Sequence, residues 1–183
     1  MKYGTLYSYW SHEWVCDYPA VAKKVRAAGC DILEVGAPHI AAMTDAQLAE
    51  LKAAAEDNGL ILTTNIGPSK DQDLASPDPA IRKNGLDFLT GVLRAMDKIG
   101  SKSLVGAMYS FWPCDFKYTD KEAAWDTSIA EMKKLAAVAE DLGIDLCQEV
   151  LNRFETYIMT NAAEGVEYCK RVDSPRCKVL LDT

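Results

Sequence analysis

Two acidic residues sit where a protein of this pattern would keep its chemistry. Residues 145–149 form a short, mostly apolar run that ends in Glu149, and residues 178–182 form another that ends in Asp182. Read as strands, side-chain alternation puts Asp145, Cys147 and Glu149 on one face, and Lys178, Leu180 and Asp182 likewise. Two carboxylates that end adjacent strands can converge. Carboxylates are rarely buried unless they are paired or hold a metal, and a divalent ion such as Mn²⁺ or Mg²⁺ takes their oxygens readily. The competing reading is structural: each acid caps a helix or pairs with a nearby base, as Glu149 could with Arg153.

The rest of the chain is organised to present such strand ends. Five stretches share one plan: an amphipathic helix, usually a glycine, a short apolar strand, then a loop. The helices are expected at about 19–28, from Thr44 to Asn58, at 79–99, 121–142 and 161–172, with Thr44 and Gln47 in capping-box spacing. Gly29, Gly59, Gly100 and Gly143 follow the first four, and Ser174-Pro175 ends the fifth. The strands are expected at 31–35, 60–64, 103–107, 145–149 and 178–182, with an opening strand at 3–9. Regular alternation of this kind means a parallel sheet with right-handed crossovers. An open doubly wound sheet would offer a glycine-rich phosphate loop after its first strand. Here the first strand runs into the aromatic segment 8–14 with no glycine. The expected fold is therefore an α/β (β/α)₈ TIM barrel. A full barrel takes about 250 residues, so residues 1–183 are read as a single domain, the N-terminal part of an incomplete barrel, truncated after about six strands.

Composition narrows the function classes. The 183 residues are 49% hydrophobic and 26% charged, with a net charge of −7. The acidity argues against nucleic acid as a partner and suits a neutral substrate or a cation. There is no apolar run of about 18 residues and no signal-peptide pattern, so a cytoplasmic protein is the default. The six cysteines form no C-x-x-C and are read as reduced thiols, with Cys114 the most exposed. His12 and His39 are read as loop residues rather than ligands. Glu34, near the end of the second strand, is either an acid beside the site or half of an ion pair. Trp14 and Trp112 follow the first and fourth strands and would form an apolar wall beside a substrate, although a lone Trp is more often packed under a loop.

Taken in order, Tyr7-Ser8-Tyr9-Trp10, Trp14, Gly67-Pro68-Ser69, Gly106-Ala107, the segments 109–113 and 149–155, and Val179-Leu180-Leu181-Asp182-Thr183 resemble the D-tagatose/D-allulose (psicose) 3-epimerases over the whole chain. The segment from Glu149 to Glu155 is the most specific part. The resemblance implies that Glu149 is a metal ligand and one acid/base, that Asp182 is a second ligand, and that Glu155 contacts the sugar. It adds Ala107 and Leu6 to Trp14 and Trp112 as substrate-binding positions. Leu6 stands where the family often has an aromatic, which bears on substrate preference. The metal implied is Mn²⁺ or Co²⁺, with Mg²⁺ as a further option. The remaining His and Glu ligands, the second acid/base, and a sugar-binding His and Arg would lie beyond Thr183. The implied reaction is C3 epimerisation of free ketohexoses, D-fructose/D-allulose or D-tagatose/D-sorbose, in the full-length protein. Glu149 would take the C3 proton to give an enediolate, and a second carboxylate on the opposite face would return it. A homo-oligomer, dimer or tetramer, is expected, and the 183-residue chain alone should be inactive. Alternatives are a related sugar isomerase on the same barrel, or a non-catalytic half-barrel.

Overall fold

Local signals set the helix boundaries. The computed structural model describes residues 1–116 and 120–182. Its long helices are α1 (Tyr18–Ala27), α3 (Asp45–Asp57), α4 (Pro79–Ile99), α5 (Lys121–Leu142) and α6 (Ala162–Val172), and a one-turn helix α2 (Ala37–Ala41) lies between α1 and α3. Asp17, Thr44, Asp78, Asp120 and Asn161 each accept a backbone N–H at the start of a long helix. Such caps satisfy donors that have no partner within the helix. Thr44 and Gln47 form the expected capping box. Gly100 and Gly143 end α4 and α5 in the left-handed region, at φ 77° and 65°. α6 ends differently from expectation: Asp173, not the Ser-Pro pair, takes the left-handed turn at φ 58°.

Six strands alternate with these helices: β1 (Gly4–Leu6), β2 (Ile32–Gly36), β3 (Ile61–Ile66), β4 (Ser103–Gly106), β5 (Asp145–Val150) and β6 (Cys177–Leu181). They form one parallel sheet in the order β1-β2-β3-β4-β5-β6. A doubly wound sheet reverses strand order at a switch point; this order never reverses, as a barrel requires. Sequentially adjacent long helices pack on one another around the sheet, α1 on α3, α3 on α4, α4 on α5 and α5 on α6.

Strand alternation separates two faces. Leu33, Val35, Leu62, Thr64, Ile66, Leu104, Leu146 and Gln148 are buried toward the helices. There they meet Val25, Leu51, Leu89, Val92, Met96, Met132, Leu135 and Tyr168, which carry the core. The alternate residues, Glu34, Thr63, Asn65, Val105, Cys147, Glu149 and Leu180, lie on the other face and are only half-buried. Among the described residues no helix is long and apolar enough to cross a membrane.

Two expectations about boundaries are corrected. The opening strand is only three residues long, and Tyr7–Trp10 turn into a 3₁₀ segment. The Tyr7 hydroxyl donates to the Trp14 carbonyl at 2.8 Å, which curls the chain back after β1. β6 ends at Leu181, so Asp182 lies just past the strand rather than in it. Thr183, the last residue of the 179–183 motif, lies outside the described residues.

Candidate metal and substrate site

β5 delivers Glu149 to its C-terminal end, and β6, in parallel register, pairs Leu180 with Glu149 and delivers Asp182 two residues further on. Both acids open into a cavity of about 590 Å³ at the C-terminal ends of the strands, lined also by Glu34, Glu155, Ala107 and Trp112. Leu6 and Trp14 line the same cavity, so every residue singled out from the sequence as a site residue is brought together there. Trp14 is 79% exposed and is therefore not packed under a loop. Ala107 is buried, and Leu6 packs half-buried against the core. His12 and His39 are not in the lining; His39 stacks on Tyr18 with ring centres 4.7 Å apart.

The electrostatics of the cavity are one-sided. Four carboxylates line it, and among the described residues no lysine, arginine or histidine does. Among the described residues neither the Glu149 nor the Asp182 carboxylate makes a hydrogen bond or ion pair with the protein. Arg153, the base closest in sequence, lays its guanidinium over the Phe154 ring at 5.1 Å. The pKa of Glu149 is raised, first by burial and then by the negative charges of Asp182, Glu155 and Glu34. An arrangement of this kind is costly as it stands and fits a divalent cation, which would supply the missing positive charge through oxygen ligands. No group of three or more His, Cys, Asp or Glu side chains in metal-binding range exists among the described residues.

The neighbouring side chains are held in place. The Trp112 indole N–H donates to one oxygen of Glu155 at 3.0 Å, and the Asn152 amide donates to the other. The Cys114 N–H donates to the Glu155 carbonyl at 3.0 Å, which ties the 149–155 loop to the 109–114 loop. The Tyr109 hydroxyl, inside the core, donates to the Glu149 carbonyl at 3.0 Å and anchors the end of β5. Gly67 packs under Trp112, where a Cβ would lie 3.0 Å from the indole ring. Glu34 is in no ion pair among the described residues; its carboxylate accepts from the Thr63 hydroxyl at 3.1 Å and the Asn65 amide at 3.3 Å across β2 and β3.

A sequence profile described as xylose isomerase-like TIM barrel matches residues 22–183. The chain belongs to that family. Among characterised relatives it is 46% identical to a D-psicose 3-epimerase of Ruminiclostridium cellulolyticum, over 100% of this chain and 63% of that protein. It is 44% identical to a D-psicose 3-epimerase of Agrobacterium fabrum, over 100% of this chain and 64% of that protein. The crystal structure of a D-psicose 3-epimerase with D-tagatose from Clostridium cellulolyticum H10 superposes with a TM-score of 0.97, over 100% of this chain and 63% of that one. The chain thus spans about 63% of the length of these relatives.

Within this family framework, three features of the site were not read from the sequence: the Asn152 and Trp112 hold on Glu155, the Tyr109 anchor, and the Glu34 network. The three-residue spacing of Asn152 and Glu155 was a usable signal for the first, since such a pair sits naturally across one tight turn. The others depend on contacts between distant segments.

Proposed function

We propose that the full-length protein is a metal-dependent ketose 3-epimerase acting on free ketohexoses, with D-fructose/D-allulose or D-tagatose/D-sorbose as substrate pairs. The observation that carries this reading is the convergence of Glu149, Asp182 and Glu155 in one strand-end cavity lined, among the described residues, by no base. Similarity to D-psicose 3-epimerases along the whole chain supports it. Glu149 and Asp182 would hold the metal, Mn²⁺ or Co²⁺ in preference to Mg²⁺. When bound, the metal polarises the C2 carbonyl of the ketose and so acidifies the C3 proton.

Glu149 takes the C3 proton. Its carboxylate is half-buried at the strand end, opens into the cavity and makes no hydrogen bond to the described residues, so it is free to act as the base. Glu155 is pre-positioned by Trp112 and Asn152 to accept from sugar hydroxyls. Trp14, Trp112, Leu6 and Ala107 form the apolar wall and exclude water from the enediolate. The proton must return from the opposite face, and we assign the second acid/base and the remaining ligands to the part of the relatives that this chain does not span. On that reading residues 1–183 form one domain that is inactive alone. The full-length protein is read as a cytoplasmic homo-oligomer, dimer or tetramer.

The test is to incubate the full-length protein with D-fructose and Mn²⁺ and assay for D-allulose by chromatography. The expected result is conversion that stops on chelation of the metal. Failure to convert any ketohexose would remove the epimerase reading and leave a related sugar isomerase.

A further inference from the structure

Five of the six cysteines are half-buried and Cys177 is buried, and all are free thiols. Cys114 is therefore not set apart by exposure, and a different pair stands out. The sulfurs of Cys169, in α6, and Cys177, the first residue of β6, lie 3.6 Å apart with the Cys177 S–H donating. No other thiol–thiol hydrogen bond occurs among the described residues. A disulfide needs about 2.05 Å between sulfurs, so closing it draws the two together by roughly 1.5 Å. Cys169 is half-buried and Cys177 buried, so the pair sits at the border of the core where α6 meets β6. The turn between them is held firmly: Asp173 makes the left-handed turn, and the Ser174 hydroxyl donates to Glu140 and accepts from the Arg176 N–H.

We propose that Cys169 and Cys177 are a peroxide-oxidisable dithiol, a site that closes reversibly to an intramolecular disulfide. The two thiols are electronically unequal. The hydrogen bond from Cys177 lowers the pKa of Cys169, and the same bond, with burial, raises that of Cys177. Cys169 is thus the attacking sulfur and Cys177 the resolving one. The Cys169 thiolate attacks one oxygen of hydrogen peroxide, the O–O bond breaks, and Cys169 becomes a sulfenic acid as hydroxide leaves. The Cys177 sulfur then attacks the Cys169 sulfur, the S–O bond breaks, and water leaves with the Cys177 proton. Two thiols are oxidised and one peroxide is reduced to two waters. The link joins the last turn of α6 to β6, the strand whose far end leads to Asp182. Asp182 lies five positions beyond Cys177, roughly 17 Å along the strand direction, so the link forms outside the cavity.

The test uses the full-length protein and no enzyme assay, so it stands apart from the epimerase reading. The folded protein is treated with a few equivalents of hydrogen peroxide, free thiols are blocked, and tryptic peptides are mapped without reduction. The expected result is loss of two thiols, a Cys169–Cys177 linked peptide, and full recovery with dithiothreitol. Cys169→Ser and Cys177→Ser should each abolish the linked peptide, whereas Cys147→Ser should leave it unchanged. A link to another cysteine, a disulfide between two chains, stable over-oxidation of Cys169 without a link, or no loss of thiols would each overturn the proposal.

Discussion

The two ends of β5 and β6 treat the same kind of side chain in opposite ways. At the N-terminal end, Asp145 receives Arg176 at 3.1 Å and Lys178 at 2.6 Å. Burial pulls its pKa upward, but the hydrogen bonds and charges of Lys178 and Arg176 outweigh burial and hold it below the ordinary value. At the C-terminal end, some four residues along the same strands, Glu149 faces three other acids and, among the described residues, no base, and its pKa is raised. Folding alone would not favour the second arrangement, because like charges in a half-buried site oppose the folded state. Its presence at the strand ends where βα barrels keep their chemistry, opposite a compensated foot, is what supports the binding site proposed above.

The largest expected effect breaks the charged end and leaves the foot intact. In the full-length protein, Glu149→Gln and Asp182→Asn should each weaken Mn²⁺ binding by about 100-fold or more, since loss of a direct ligand exceeds the effect of losing an outer partner. Asp145→Asn should leave Mn²⁺ affinity within about twofold, because its charge is already neutralised by bonded bases and screened at that distance. Titration calorimetry on the three variants reads this directly. Glu149→Gln should also lower turnover by about 10⁴-fold, the upper range for removing a general base. Undiminished metal affinity in both Glu149→Gln and Asp182→Asn would end the assignment of these acids as ligands.

An intermediate effect sharpens the comparison within the charged end. Among the described residues the Glu149 and Asp182 carboxylates make no hydrogen bonds to the protein, whereas the Glu155 carboxylate has one donor on each oxygen, Trp112 and Asn152. On the proposed function the first two hold the cation and the third contacts the sugar. Trp112→Phe keeps the apolar wall and removes the indole N–H; Asn152→Ala removes the other donor. Each should raise the KM for the ketose by about tenfold, the worth of a hydrogen bond to a charged group, with Mn²⁺ affinity little changed. If either variant instead lowers Mn²⁺ affinity as much as Glu149→Gln does, Glu155 belongs to the metal and not to the sugar.

How far these features were legible depends on the range of the contacts that decide them. α4 and α5 were readable to the residue because Pro79 and the Asp120 cap start them and Gly100 and Gly143 stop them, all within a few positions of the helix itself. The convergence of Glu149 and Asp182 was readable from strand alternation and the rule that places active sites at strand ends. α2 was missed because Pro38 reads as a breaker, although at the first turn of a helix it removes only an N–H that had no partner. The run Tyr7-Ser8-Tyr9-Trp10 looks like strand by propensity, and it curls because Tyr7 reaches Trp14 across seven residues. The compensated foot was hidden for the same reason: Asp145 meets Arg176 and Lys178 only once β5 and β6 are paired.

The smallest effect tests that foot. Asp145→Asn removes a charge whose folded-state pKa is depressed. A depressed carboxylate contributes stability that is fully present above the unfolded-state pKa, near the ordinary aspartate value of about 3.9, and is lost as pH falls through the folded-state pKa below it. The sequence of losses sets the sign: at pH 7 the substitution should destabilise, and at about pH 3 the difference should shrink toward zero because the wild-type carboxylate is then becoming protonated as well. The magnitude is small. Asp145 is 22% exposed, but Arg176 and Lys178 are 38% and 50% exposed, so solvent screens both pairs and the total is about 1 kcal/mol. Urea unfolding of the wild-type and Asp145→Asn proteins at the two pH values measures it, and 1 M salt at pH 7 should shrink the difference further. An effect of equal size at both pH values would mean that the side-chain amide disturbs packing rather than charge, and no effect at pH 7 would mean that the foot is not compensated by these pairs in solution.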